Sequence, residues 1–237
     1  MPSQLAELLS THLSELGCRT PEPIRLRPVR RGQPGDLGTA VAYAAAGSGP
    51  AAERLAGELA DRLRGAPGFA EVRTEAGYLT LTLTTDVLLD SVRRLLRPGA
   101  GATPTRALDG GWPAGLLPVA LAHARCRNVA RAARAHGVRP TLGAELTTTG
   151  SAVVDRDLTR ALLVRLTADH PGGRGAAVAL RDLATTYQDF YAGTRTAPRG
   201  AGPVTSKHRT HLALTEATAV ALATGLASLG LHAPEHL

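Results

Sequence analysis

Aromatic residues are scarce in this sequence. Its 237 residues include two phenylalanines, four tyrosines and one tryptophan, or 3% of the chain, although 43% of the residues are hydrophobic. The cores must therefore be built from alanine, leucine and valine, a composition that favours helices over β-sandwiches. The length suits two domains of about 100 residues each. We predict a mainly α protein.

Cysteine and long apolar runs are also scarce. Cys18 and Cys126 are the two cysteines, too few and too far apart for a disulfide scaffold or a thiolate zinc site. The first residues lack a basic segment followed by an apolar core, and no window approaches about 18 consecutive apolar residues. We therefore expect a soluble, cytoplasmic protein.

Signatures of common enzymes are missing as well. The sequence has no G-x-S-x-G elbow and no H-E-x-x-H motif. The glycine-rich "HPGGRG" at 170–175 lacks the GK[ST] ending of a phosphate loop. Asp155 and Asp157, near a predicted helix start, are better explained as capping residues than as an acid/base pair. One possible metal trio lacks helical spacing: His232, Glu235 and His236. We expect no catalytic residue, metal or cofactor.

Positive charge, by contrast, is abundant and comes almost wholly from arginine. The net charge is +7, and of the 27 basic residues only Lys207 is a lysine. Guanidinium groups match phosphate geometry, so this composition indicates a polyanionic partner such as a nucleic acid. A GC-rich genome would produce the same arginine and alanine bias without a functional cause, and composition alone leaves this alternative open.

The first half of the chain alternates short helical and strand patterns. Leucines at helical spacing predict a first helix that Gly17 ends, and "FAEVRTEAGYLTLTLT" predicts two strands joined by a turn at 75–77. Pro50 is expected to open a helix. The remaining predicted elements are a strand around 24–27, an alanine-rich helix at about 38–46 and a short helix at about 88–96.

A change of composition marks the domain boundary. The segment "RPGAGATPTRALDGGWPAG" is dense in glycine, proline, alanine and threonine and has no apolar periodicity, as is typical of a linker. Helices are predicted after it at about 113–136, 155–168, 173–194 and 208–230. We predict a small α/β domain with a short antiparallel sheet at 1–97, a linker at 98–112 and an all-α helical bundle at 113–237.

One candidate contact surface lies on the second strand of the hairpin. Leu79 and Leu81 alternate with Tyr78 and Thr80, so one strand face belongs to the core and the other offers a tyrosine and hydroxyl groups. A tyrosine beside small hydroxyl residues can stack on an unpaired base. On spacing alone, a tyrosine packed over a neighbouring helix is the favoured explanation.

A second candidate surface lies on the helix predicted at 113–136. Four basic residues recur there at i, i+4, i+8 and i+11 and form one stripe: His123, Arg127, Arg131 and Arg134. Apolar residues lie on another face of the helix: Leu117, Ala120, Leu121, Ala124 and Ala132. Like charges at this spacing repel one another, which suggests an anionic partner, although a merely solvated face remains an equal alternative.

The end of the chain resembles a known family. "HLALTEATAVALATGLASLGLHAPEHL" is similar to the last helix of arginyl-tRNA synthetases, whose DALR anticodon-binding domain ends on R-L-x-L-x-E-A-x-x-x-V-L-x-x-G-L-x-L-L-G-I-x-A-P-E-x-M. Twelve positions match in order: Leu212, Leu214, Glu216, Ala217, Leu222, Gly225, Leu226, Leu229, Gly230, Ala233, Pro234 and Glu235. "LAHARCRNV" and "LRDLATTYQDFY" resemble earlier helices of the same domain.

The first half resembles the N-terminal additional domain of the same enzymes through "GDLGTAVAYAAA" and "EAGYLTLTL". In the family this domain contacts the tRNA corner near the D-loop, where an aromatic residue and an asparagine touch a base. Tyr78 and Thr80 stand at those two positions, so the resemblance reverses the preference stated above for Tyr78. Thr80 departs from the pattern and cannot make a bidentate amide contact, which weakens any expectation of base selectivity.

The family's catalytic domain, a Rossmann-type fold with HIGH and KMSKS signatures, lies between these two domains. Here about 30 residues, from 85 to 115, join them, far too few for such a fold. Neither signature occurs, and "TSKHR" near 205 falls inside the predicted bundle. The resemblance therefore implies a chain that cannot by itself activate arginine with ATP.

Three hypotheses follow. The first is a non-catalytic synthetase-like protein that binds tRNA through both domains, with Arg127, Arg131 and Arg134 contacting phosphates. The second is a protein-interaction module that partners a separately encoded synthetase-like or tRNA-dependent enzyme. The third is a repurposed scaffold without RNA binding, which the altered Thr80 favours and the arginine stripe opposes.

Overall fold

A computed structural model describes residues 2–30, 32–97, 112–113, 115–143, 153–168, 174–200 and 202–234. Within these residues the chain forms eight helices and four strands. The predicted mainly α fold with a small antiparallel sheet is thereby confirmed. Two compact units are present: the chain up to Asp90 forms nearly all of the first, and the chain from Ser91 onward, apart from a short segment at Thr167, forms the second.

Several predicted features lie outside the described residues. They are the linker over 98–112 apart from Trp112, the glycine-rich positions 170–173, and two members of the possible metal trio, Glu235 and His236. The predicted domain limits of 1–97 and 113–237 therefore remain a prediction.

The first unit packs helices on one face of a four-stranded sheet. Its elements in order are α1 (Pro2–Glu15), β1 (Arg27–Pro28), β2 (Leu37–Thr39), α2 (Val41–Ala46), α3 (Pro50–Arg64), β3 (Phe69–Glu75) and β4 (Tyr78–Leu83), followed by α4 (Thr85–Leu95), inside which the division between units falls. Pro50 opens α3 as predicted, because a first helical residue needs no N–H. Leu55, Leu59 and Leu63 form its buried stripe.

All strand pairs of the sheet are antiparallel, in the order β1-β2-β4-β3. The β3–β4 hairpin confirms the predicted turn: its central residues Ala76 and Gly77 have φ of 44° and 83°. Positive φ at both positions matches the twist of two paired strands, and glycine adopts it freely. The core face of the sheet carries Val72, Leu79 and Leu81, which are at most 5% exposed.

Two predictions for this unit need correction. The alanine-rich helix begins at Val41 rather than near 38, because Leu37–Thr39 forms β2 and pairs with β4. Three residues are too few for a periodic strand signal, so the sequence pattern could not reveal this strand. The strand expected around 24–27 is reduced to Arg27–Pro28. Proline is tolerated there because β1 is an edge strand.

The second unit is helical, as predicted. Its remaining helices are α5 (Leu117–Ala135), α6 (Val153–Thr167), α7 (Arg174–Gly193) and α8 (Ser206–Ser228). The largest buried side chains of this unit are Tyr187 and Phe190 of α7. At Gly225, α8 lies so close to α7 that an added Cβ would overlap the Leu180 side chain. The small residues of α8 thus permit close helix packing.

The start of α8 shows why a helix end is hard to place from periodicity. Thr205 is its N-cap, and the Thr205 hydroxyl accepts a hydrogen bond from the His208 N–H at 3.3 Å. The His208 ring accepts one in return from the Thr205 N–H at 3.1 Å. This reciprocal capping extends the helix two residues before the predicted start at 208. None of the described helices is both long and apolar enough to cross a membrane.

Candidate nucleic-acid interface

The outward face of β4 is arranged as its alternation predicts. Leu79, Leu81 and Leu83 are at most 1% exposed, whereas the Tyr78 side chain on the opposite face is 38% exposed. Thr80 is partly exposed on the same face as Tyr78. The strand therefore presents an aromatic ring and a hydroxyl group away from the core.

Two glycines leave space for these side chains. Gly38 lies directly opposite Thr80 in the β2–β4 pair, and the Tyr78 ring lies across it: a Cβ on Gly38 would be 2.6 Å from Tyr78 Cε1 and 2.8 Å from Cζ. A Cβ on Gly35 would overlap the Thr80 methyl group. One side of the Tyr78 ring thus lies against the backbone of β2 at Gly38.

Both ends of β4 are anchored by side chains from the "GDLGTAVAY" stretch. The Asp36 carboxylate is 4% exposed, and its Oδ2 accepts a hydrogen bond from the Leu83 N–H at 2.7 Å. At the other end the Tyr43 hydroxyl donates a hydrogen bond to the Ala76 carbonyl in the hairpin turn. This stretch carries part of the family resemblance, and in the fold it also holds the two ends of β4, the strand that carries Tyr78.

In the second unit, α5 carries the predicted arginines on its exposed side. Arg127, Arg131 and Arg134 are all exposed. Arg131 donates a hydrogen bond to Asn128 Oδ1, one turn earlier on the helix. The three guanidinium groups lie within two turns of one helix, a spacing suited to successive phosphates.

His123 does not belong to this exposed surface, and its place in the stripe was wrong. It is 5% exposed, and its Nδ1 donates a hydrogen bond to the Pro234 carbonyl at 2.7 Å. The physical reason is that α5 packs against both α7 and α8, so its buried face is wider than one stripe. The apolar face is only partly buried, because Leu117 and Leu121 are 46% and 47% exposed and Ala132 is also exposed.

Arg134 is held by an ion pair that the sequence did not indicate. Its Nη2 and Nε lie 2.8 Å and 2.9 Å from Oε1 of Glu216 on α8. The Arg134 side chain is 61% exposed and that of Glu216 is 16% exposed. A phosphate would have to compete with this carboxylate for Arg134. Sequence reasoning also missed Arg125, whose guanidinium lies 5.3 Å from the centre of the Tyr191 ring.

A cluster of ionisable groups joins α6 to α8, in which Asp155 and His211 are buried and Lys207 is exposed. Lys207 forms an ion pair with Asp155, and Nε2 of His211 lies 3.5 Å from the other carboxylate oxygen. His211 Nδ1 donates a hydrogen bond to the Arg195 carbonyl at 2.8 Å. Burial lowers the pKa of His211 to about 4, despite the opposing attraction of Asp155. His211 is too deeply buried for general acid/base work on a substrate, since it is 2% exposed.

The two cysteines are free, and Cys126 is buried. Burial raises the pKa of the Cys126 thiol to about 12, which leaves almost no thiolate at neutral pH. The described part of the chain contains no group of three His, Cys, Asp or Glu side chains placed to hold a metal ion. What the two exposed surfaces can do is stack a base and contact phosphates.

The sequence of the second unit matches the DALR anticodon binding domain over residues 119–237. The chain belongs to the DALR anticodon-binding domain family. This region of the chain contains all of α6, α7 and α8 and nearly all of α5, including the three exposed arginines. Tyr78 and Thr80 lie outside the matched DALR region.

Three relatives are arginine–tRNA ligases of bacteria. The chain is 36% identical to the enzyme of Micrococcus luteus over 135 residues, which cover 50% of this chain and 23% of the enzyme. Identity is also 36% with the enzymes of Kineococcus radiotolerans and Pseudarthrobacter chlorophenolicus, again over 50% of this chain and over 22% and 23% of those enzymes. The similarity thus spans less than a quarter of each relative. No solved structure matches the chain.

Proposed function

We propose that this chain is a cytoplasmic, non-catalytic, synthetase-like protein that binds tRNA. The observation that carries this proposal is the DALR anticodon-binding match over 119–237, a region whose first helix exposes Arg127, Arg131 and Arg134. The net charge of +7 supports an anionic partner. The proposed division of labour is that the bundle at 113–237 meets the anticodon arm and the domain at 1–97 meets the corner of the tRNA.

The non-catalytic part of the proposal rests on the sequence itself. Neither the HIGH nor the KMSKS signature occurs in the 237 residues, and no nucleotide-binding loop is evident. A synthetase needs such groups to bind ATP and to stabilise the charge that develops during adenylate formation. We therefore expect no exchange of pyrophosphate into ATP in the presence of arginine.

The test of tRNA binding is a gel shift of unfractionated tRNA by the full chain at low salt. We expect a shift that Arg127→Ala with Arg131→Ala weakens. The salt dependence should also become shallower, by about 0.9 in the slope of log K against log [salt] for each phosphate that the variant no longer neutralises. Arg156→Ala is the matched control, because Arg156 is an exposed arginine on α6. No shift at any salt concentration contradicts the proposal.

A second candidate function is partnership with a separately encoded synthetase-like or tRNA-dependent enzyme. It is favoured by exposed apolar side chains on α5, where Leu117 and Leu121 lie one turn apart and are 46% and 47% exposed. Exposed leucines at i and i+4 are suited to packing against another protein. Copurification from the native host separates the two functions: a stoichiometric enzyme favours partnership, and RNA alone favours direct tRNA binding.

A further inference from the structure

The register of the sheet aligns four residues from its four strands on one face. Arg27 of β1 lies opposite Gly38 of β2, Gly38 lies opposite Thr80 of β4, and Thr80 lies opposite Arg73 of β3. Directly paired residues in antiparallel strands point to the same face. We call these four residues the transverse row. The Tyr78 ring lies across its Gly38 position.

The two ends of the transverse row differ in charge environment. At the β3 end Arg73 is paired with Glu71, whose Oε1 accepts a hydrogen bond from Arg73 Nε at 2.6 Å. Glu75, which is also exposed, lies opposite Tyr78 on this same side. The β3 edge therefore carries two carboxylates for one guanidinium and repels a phosphate chain.

The β1 end carries arginines without such neutralisation. Arg25 and Arg27 are exposed on either side of Leu26, which is 1% exposed, so both guanidinium groups extend away from the core. Within the described residues neither guanidinium group has an ion-pair or hydrogen-bond partner. Three strand spacings of about 4.8 Å separate the two ends of the row by about 14 Å. This distance exceeds the Debye length of about 8 Å at physiological salt, so the edges act as separate electrostatic environments.

We propose that the phosphate backbone of bound RNA follows the β1 edge of this sheet, where Arg25 and Arg27 contact the phosphates next to the base that the family resemblance already implies at Tyr78. The Tyr78 ring leans from β4 over β2, toward β1 and away from β3. Because Arg27 lies opposite Gly38, it is the arginine of the transverse row nearest to the ring. Stacking and phosphate contact are then supplied by adjacent residues of one surface. The proposal rests on the tRNA-binding function proposed above.

The experiment measures binding of unfractionated tRNA to the full chain at several salt concentrations. Arg27→Ala is expected to weaken binding and to reduce the slope of log K against log [salt] by about 0.7 to 0.9, the value for neutralisation of a single phosphate. Arg73→Ala is the matched control, since Arg73 is the other arginine of the same row, and we expect its slope to equal that of the unmodified protein. Arg27→Lys should restore most of the slope because it keeps the charge.

Tyr78→Ala separates stacking from charge. It is expected to lower affinity about tenfold, within the range known for one stacked base, and to leave the salt slope unchanged. Thermal unfolding of each variant verifies that the fold is retained.

The proposal is overturned if the unmodified protein binds tRNA and Arg27→Ala leaves the slope unchanged, or if Arg73→Ala lowers the slope as much. In that case tRNA binding itself stands. If the unmodified protein binds no tRNA, both this proposal and the proposed function fail. Binding of a protein rather than RNA at this face also overturns it.

Discussion

Replacement of Gly225 by alanine tests how closely α7 and α8 pack. The new Cβ would overlap Cδ2 of Leu180 and lie 3.0 Å from its Cδ1 and Cγ atoms. Leu180 is 0% exposed, so its side chain has no solvent to move into. Overpacking of a filled core costs about 1–3 kcal/mol. Alanine in a helix interior regains about 1 kcal/mol relative to glycine. We expect Gly225→Ala to lower the free energy of unfolding by about 1 kcal/mol.

Gly57→Ala is the control for helix propensity. Gly57 lies inside α3, and a Cβ there would meet nothing within 4 Å. This variant should gain up to about 1 kcal/mol. Urea unfolding followed by far-ultraviolet circular dichroism measures both changes, and amide hydrogen exchange in α3 and α8 assigns each change to its unit.

Leu180→Val in the Gly225→Ala background provides the second control. If the two residues clash, the double variant should be more stable than the sum of the two single changes predicts. Stability of Gly225→Ala equal to or above that of the original chain, with no coupling to Leu180, would refute the reasoning.

Three further predictions concern single residues. Burial lowers the pKa of His211 from 6.5 to about 4 in the folded chain. Between pH 7 and pH 5 the unfolded chain therefore binds a proton that the folded chain does not, and the free energy of unfolding should fall by about 2 kcal/mol. The melting temperature of His211→Asn should depend less on pH than that of the original chain. An equal pH dependence in the two proteins contradicts the attribution of this effect to His211. Thr205→Ala removes the N-cap of α8 and should cost about 1 kcal/mol in urea unfolding, unlike Thr205→Ser. Gly38→Ala should displace the Tyr78 ring, because the added Cβ would overlap it, and should weaken tRNA binding. Unchanged binding contradicts a role for the ring position.

Periodicity was sufficient wherever a long element has one buried face. The leucines of α3 and the alternation in β4 predicted both the elements and their buried sides, because burial repeats with the period of the backbone. The order of residues near the end of the chain, including Gly225 and Pro234, predicted the DALR family, which the family match over 119–237 confirms.

Periodicity failed where a helix has several neighbours. On α5, spacing placed His123 among exposed arginines, yet contacts with α7 and α8 bury it against the Pro234 carbonyl. Nothing in the sequence around residue 123 indicates a contact with residue 234, because only the folded chain brings these two residues together. The same holds for Arg134, whose partner Glu216 comes from α8.

The sequence by itself determined the fold class, the family and the outward position of the aromatic residue Tyr78 on β4. The tertiary structure decided which charges stand beside that aromatic. Strand register places Arg27 next to Gly38 and the Tyr78 ring, and it places Glu71 and Glu75 at the opposite edge. Register depends on pairing between segments far apart in the chain, and short strands such as β1 and β2 carry too few residues to specify it locally.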